Sequence, residues 1–206
     1  MATDSITLSS RDLQAAEIPL ESLKRFSVDE YHVLIDAGFF ANDESYELLE
    51  GLLVHKMGKN RRHTLVTQRL REFLEGRVAG YYVDAQEPVA MSDSEPEPDV
   101  SVIRGKREYY LDQQPPAENV AFVAEISWRT LGRDRGLKKR IYARAGIPVY
   151  WIINLVDEQV EVYSRPTGAI ETPNYDQCQI LKSGDELPVI IDGRDVGRLA
   201  VKELLP

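Results

Sequence analysis

The stretch Val120-Ala121-Phe122-Val123-Ala124-Glu125-Ile126-Ser127 decides the fold of this chain. It is apolar almost without a break, as a central β-strand covered on both faces would be. One carboxylate, Glu125, stands inside it. An unpaired buried charge is expensive, so Glu125 must be paired, protonated or bound to a cation. An ion pair with an arginine is one such arrangement. A second run, Pro98-Asp99-Val100-Ser101-Val102-Ile103, carries an acid at its start. Asp99 reads either as a turn residue after Glu97-Pro98 or as a partner of Glu125, if the two strands are neighbours. Two converging carboxylates with a lysine suit a divalent cation that activates water against a phosphodiester. Lys138, downstream on an expected helix, is the lysine in question.

Moving outward, the order of elements predicts a mixed α/β core. Ser27-Val28-Asp29-Glu30 forms a capping-box pattern, and a helix over 28–37 should stop at Gly38. Tyr46-Glu47-Leu48-Leu49 and Leu52-Leu53-Val54-His55-Lys56-Met57 flank Glu50-Gly51 as a hairpin would. Leu65, Val66, Leu70, Phe73, Leu74 and Val78 recur at helical spacing, so 60–78 is the longest expected helix. Asp99 is expected to open a strand. After Ser127, a basic loop leads to a helix over 135–145, with Asp134 as its cap. Val149–Asn154 and Gln159–Tyr163 read as a strand pair, followed by a β-rich tail and a last helical turn around 201–205. Residues 1–20 read as a loose arm and 21–206 as a single domain.

The chain has 206 residues, 43% of them hydrophobic, which allows a sizeable core. Its formal charge of -9 argues against a passive nucleic-acid coat, which would be basic. A local basic patch is still compatible with an acidic whole. Arg129, Arg133, Arg135, Lys138, Lys139, Arg140 and Arg144 are seven of the 25 basic residues. Such a run is either a solvated helix face or an electropositive lip for phosphates. Lys56, Lys59, Arg61 and Arg62, with His63 beside them at the head of the long helix, offer a second phosphate-holding patch. His63 reads first as a structural histidine. Tyr142 lies four residues after Lys138 and shares its helix face.

Cys178 is the single cysteine, so no internal disulfide forms and a reducing cytoplasm fits. No apolar run reaches the roughly 18 residues of a membrane span, and the first residues lack a signal-peptide pattern. Zinc-spaced Cys/His clusters, phosphate-cradling glycine loops and nucleophile elbows are all absent.

At these residues the chain resembles the Uma-two-type putative restriction endonuclease family, within the PD-(D/E)XK nuclease superfamily. The resemblance runs from about Ser27 to Leu205. It rests on Tyr46-Glu47-Leu48-Leu49-Glu50-Gly51, on His63, on Pro98-Asp99-Val100 and on Glu125-Ile126-Ser127. Asp134-Arg135-Gly136-Leu137-Lys138, Gly146-Ile147-Pro148 and the strands after it complete the series. It implies a restriction endonuclease-like core, a mixed central β-sheet flanked by α-helices. It implies that Asp99 and Glu125 hold Mg²⁺ (Mn²⁺ as substitute), with the Ile126 carbonyl as a further ligand and Glu47 assisting. In the superfamily the catalytic lysine usually stands two residues after the glutamate, where this chain has Ser127. Here the amine would come from Lys138, provided its helix packs back over the strand end. The loop Ser127-Trp128-Arg129-Thr130 departs from the family's usual Ser-Pro-Ser-Thr-like residues, which bears on substrate access.

The resulting expectation is a metal-dependent endonuclease acting on nucleic acid, DNA foremost. Arg129, Arg133, Arg135, Lys139, Arg61, Arg62 and His63 would hold phosphates. A homodimer would let two sites cut two strands. The alternatives are a nuclease-fold binding or regulatory protein without catalysis, and a hydrolase of a small phosphodiester.

Overall fold

A computed structural model describes residues 22–40 and 45–206; the arm expected over 1–20 lies outside the described residues. Its centre is a six-stranded mixed sheet in the order β3-β4-β5-β6-β7-β8. The strands are β3 (Tyr81–Asp84), β4 (Val100–Arg104), β5 (Val120–Ser127), β6 (Val149–Asn154), β7 (Gln159–Pro166) and β8 (Tyr175–Lys182). Only β5 and β6 pair in parallel within this sheet. A parallel pair needs a long crossover, and residues 128–148 supply it. Two antiparallel hairpins lie outside the sheet: β1 (Tyr46–Leu49) with β2 (Leu52–His55), and β9 (Glu186–Ile191) with β10 (Arg194–Ala200). The helices are α1 (Val28–Asp36), α2 (Arg61–Leu74), α3 (Leu131–Arg133), α4 (Lys139–Arg144) and α5 (Val201–Leu204). A π-helical turn, Asp134–Lys138, joins α3 to α4.

All eight residues of β5 are buried, as its apolar run requires. Successive side chains point to opposite faces. Phe122, Ala124 and Ile126 enter a core with Leu70 and Leu74 of α2, the β9–β10 hairpin and α5. There Phe122 meets Trp151 edge to face at 4.8 Å, a pairing worth about 0.5–1.5 kcal/mol beyond burial. Val123 faces a second core built with Tyr142 of α4 and Tyr150, Ile152, Tyr163 and Tyr175. Glu125 and Ser127 therefore belong to the α4 side of the sheet.

Local expectations hold with small corrections. The Ser27 capping box is complete. The β1–β2 hairpin turns at Glu50 and Gly51, both with positive φ, the backbone of a two-residue turn that matches strand twist. Helix α2 is shorter than expected: Asn60 caps it from outside by accepting the His63 N–H, and it ends at Leu74. Asp99 stands just before β4 rather than in it. Asp134 does not cap a helix. It is inside the π-helical turn and buried, and it accepts the Ser127 hydroxyl at 2.6 Å.

The basic run serves mostly as structural cement. Arg135 grips Glu161 of β7 at 2.6–3.1 Å and Asp157 at 3.3 Å. Asn154, Gln159 and Tyr163 also donate to Glu161. Although burial opposes it, this crowd of donors lowers the Glu161 pKa to about 2. Arg140 binds Glu50 at 2.6 and 2.8 Å, and Arg144 binds Asp93 at 2.6 Å. Arg144 also reaches Glu50 at 3.3 Å, so α4 is fastened both to the β1–β2 hairpin, which carries Glu47, and to the loop at Asp93.

Candidate active site

Glu47 of β1, Asp99 before β4, Glu125 of β5 and Lys138 of the π-helical turn all line one cavity of about 670 Å³. Register explains the meeting of the two acids. Val100 is paired with Ala124 across β4 and β5, so Asp99 comes opposite Glu125, and opposed residues share a face. The contact is direct at the backbone: the Ile126 N–H donates to Asp99 Oδ2 at 2.8 Å.

Lys138 resolves the question raised by Ser127. Its Nζ lies 2.9 Å from Glu125 Oε1 and 2.9 Å from Glu47 Oε2. The amine therefore reaches the glutamate from the crossover, and Ser127 is occupied with Asp134 instead. π-Helical turns are rare and frequent at functional sites; this one carries Lys138 and buries it beside Asp134. Tyr142, one turn on, donates its hydroxyl to the same Glu125 oxygen at 2.7 Å. The partner of the strand acid is thus a lysine and a tyrosine, not an arginine.

Burial sets the electrostatics. Glu125 is 4% exposed and Lys138 3%. Burial raises the Glu125 pKa well above its ordinary value, Lys138 opposes this, and Asp99, Asp134 and Glu47 add to the rise. The Lys138 pKa is raised despite its burial, because Glu125, Glu47 and Asp134 surround it. The amine is firmly charged. Asp99 goes the other way: burial would raise it, but the His63 contact at 3.0 Å and the Ile126 N–H hold it below its usual value. Asp134 is raised by burial. Four carboxyls thus crowd one buried amine, with Arg133 bridging at 3.5 Å to Glu47 and 3.9 Å to Asp134. Glu47 Oε1 and Asp134 Oδ1 are buried with no hydrogen-bond partner.

This arrangement fits a cation. Negative charge is in excess, and among the described residues Asp99 Oδ1 is engaged only by Gln86 at 3.5 Å. Among the described residues no three His, Cys, Asp or Glu side chains form a ready cage. The available donors are two carboxylates and, at the strand end, the Ile126 carbonyl.

Of the expected phosphate-holding residues, Arg129, Arg133 and His63 line the cavity. Arg61 and Arg62 are exposed on the first turn of α2, outside the lining. Arg135 and Lys139 face β7 instead; Lys139 Nζ lies 5.3 Å from the Tyr163 ring centre. His63 is tied to Asp99, so its structural and functional readings coincide at one contact. Sequence reasoning missed Gln86, which faces Asp99 with φ 62. A non-glycine residue at positive φ is uncommon and clusters at functional sites, but its sequence setting, Ala85-Gln86-Glu87-Pro88, carries no signal of this.

The six-stranded mixed sheet with its flanking helices is a restriction endonuclease-like fold. The chain matches the Uma2 family, described as "Putative restriction endonuclease", over residues 28–196 and belongs to it. Among solved structures it is similar to a protein from Anabaena variabilis described as a putative nuclease belonging to DUF820. That likeness has TM-score 0.61 at 17% identity, and covers 87% of this chain and 97% of that one. No curated protein matches the chain. Among the described residues no helix is long and apolar enough to cross a membrane.

Proposed function

We propose that this protein is a metal-dependent endonuclease that hydrolyses phosphodiester bonds of DNA. The observation that carries the reading is the meeting of Asp99, Glu125, Glu47 and one charged lysine in a single cavity. Family membership supports it.

Asp99 and Glu125 would hold Mg²⁺ or Mn²⁺, with the Ile126 carbonyl. The cation, when bound, supplies Lewis-acid charge and lowers the pKa of a bound water. The protein's own groups do the rest. Lys138 holds a fixed positive charge at the cavity floor, suited to orienting a water or stabilising charge that develops on the phosphate. Glu47 fixes that amine from one side and Glu125 from the other. Tyr142 orients Glu125, and His63 orients Asp99. Arg129 and Arg133 at the cavity wall suit the flanking phosphates, which position a strand without reading its sequence. Cutting both strands of a duplex would call for two copies of the chain.

The test is cleavage of plasmid and single-stranded DNA with Mg²⁺ or Mn²⁺, by wild type, Asp99→Ala and Lys138→Ala. Wild type is expected to cut and both variants to lose at least about a hundredfold in rate. Equal rates in all three would refute the assignment. One observation favours a second reading, a nucleic-acid-binding protein without catalysis: the lack of a three-ligand cage among the described residues. Salt-sensitive DNA binding that persists in Asp99→Ala, with no cleavage by wild type under either metal, would establish it.

A further inference from the structure

The cavity has a charged floor, yet two large apolar side chains are exposed along its wall. Trp128, just past β5, is 50% exposed, and Met57, just past β2, is 46% exposed; both line the cavity. The two segments are tied together, since Arg133 donates to the His55 carbonyl at 3.3 Å. Arg129 stacks its guanidinium over the Trp128 ring at 5.6 Å. Lys59 and Arg129 line the same cavity, as does Lys56, which is ion-paired there with Glu97. Asp99, Glu125 and Lys138 line it too but are buried, each at most 9% exposed.

An exposed indole costs hydrophobic free energy unless a ligand covers it. The ligand that fits must be flat and apolar on its faces, and must bring negative charge for the surrounding cations. A nucleobase on its phosphate backbone has both properties, and stacking on an aromatic ring tolerates any base. A base can meet the indole face only when it is out of its duplex stack. The burial of the acids asks for the same thing, because a narrow single strand reaches buried groups more readily than a rigid duplex.

We propose that Trp128, backed by Arg129 and faced by Met57, is a base-stacking platform that selects an unpaired strand, so that the preferred substrate is single-stranded DNA or an unpaired segment within a duplex. The inference rests on the nuclease reading for its substrate, but its test does not need cleavage.

The chain has two tryptophans, and Trp151 is buried in the core, so quenching of the protein's emission by DNA reports Trp128. Oligothymidylate titrated into Asp99→Ala in EDTA is expected to quench emission, and Trp128→Phe to abolish the signal. By anisotropy of a labelled oligothymidylate, Trp128→Ala is expected to weaken binding about tenfold, and Trp128→Phe to recover most of it. A duplex of equal length is expected to change less than about twofold. No quenching, or equal oligothymidylate affinity in wild type and Trp128→Ala, would overturn the platform. Active cleavage combined with either result leaves the nuclease reading standing and removes this one. Quenching and weakened binding without any cleavage support the platform and remove the nuclease reading instead.

Discussion

Lys138 Nζ and Glu125 Oε1 lie 2.9 Å apart, both buried, across 13 residues of chain that leave the sheet and return to it. A buried pair of this kind is weak in net stability but costly to break.

Lys138→Met removes the charge and keeps most of the volume. Glu47, Glu125 and Asp134 would then be buried together without their cation. The expected loss is about 3–5 kcal/mol near neutral pH, read by urea unfolding. Glu125 already has a raised pKa in the fold, so its neutral form takes over as the pH falls. The loss should therefore shrink as the pH falls. A pH-independent loss would contradict the charge argument.

Tyr142→Phe deletes one hydroxyl and leaves the ring packed. Glu125 loses the donor at 2.7 Å, and stability should fall by about 1–2 kcal/mol. The more telling readout is metal activation. A ligand freed from its supporting hydrogen bond binds its cation about 10-fold more weakly, so the Mg²⁺ concentration for half-maximal cleavage should rise by that factor. An unchanged midpoint would mean that Glu125 does not bind the metal.

Gly51→Ala acts at a distance from the chemistry. Gly51 has φ 75, and an added Cβ would lie 2.8 Å from the Arg25 Cβ and 3.1 Å from the Phe26 carbonyl oxygen. Both the turn and its neighbour must shift, at about 1–3 kcal/mol. Because the hairpin carries Glu47, cleavage should fall along with the melting temperature. Thermal unfolding and plasmid assays on the same preparation check this.

Glu161→Gln tests the acid limb of stability. The Glu161 pKa is depressed to about 2 from an ordinary 4.5. Its contribution is therefore present above the ordinary value and lost as the pH falls toward 2. The variant should be less stable than wild type at neutral pH, by about 2 kcal/mol. The gap should close between about pH 4.5 and about pH 2. A constant gap would assign Glu161 a packing role alone.

The elements easiest to read were those whose signal is local. Val120–Ser127 appears as a strand because six of its eight residues are apolar and lie in a nearly unbroken run. The Ser27 box and the Glu50-Gly51 turn each depend on two or three adjacent side chains. The acids Asp99 and Glu125 were legible as anomalies, but their meeting depends on the Val100–Ala124 register, which no local pattern encodes. The basic run was ambiguous for the same reason. Arg135 looks like a phosphate ligand until Glu161, 26 residues away, is seen to hold it. Asp134 looks like a cap until Ser127 reaches it. Gln86 had no signal at all, because its role comes from a backbone twist beside Asp99.

The parallel pairing of β5 with β6 also has a kinetic meaning. Contacts that close a long excursion form slowly, since their entropy must be spent before their contacts form. Lys138 rides on that excursion, while Glu125 waits at its start. A chain whose crossover has not yet packed back onto β5 would hold its acids without their amine. On the proposed function, such an incomplete molecule would not cut nucleic acid, and its centre would be complete only once the crossover has packed back onto β5.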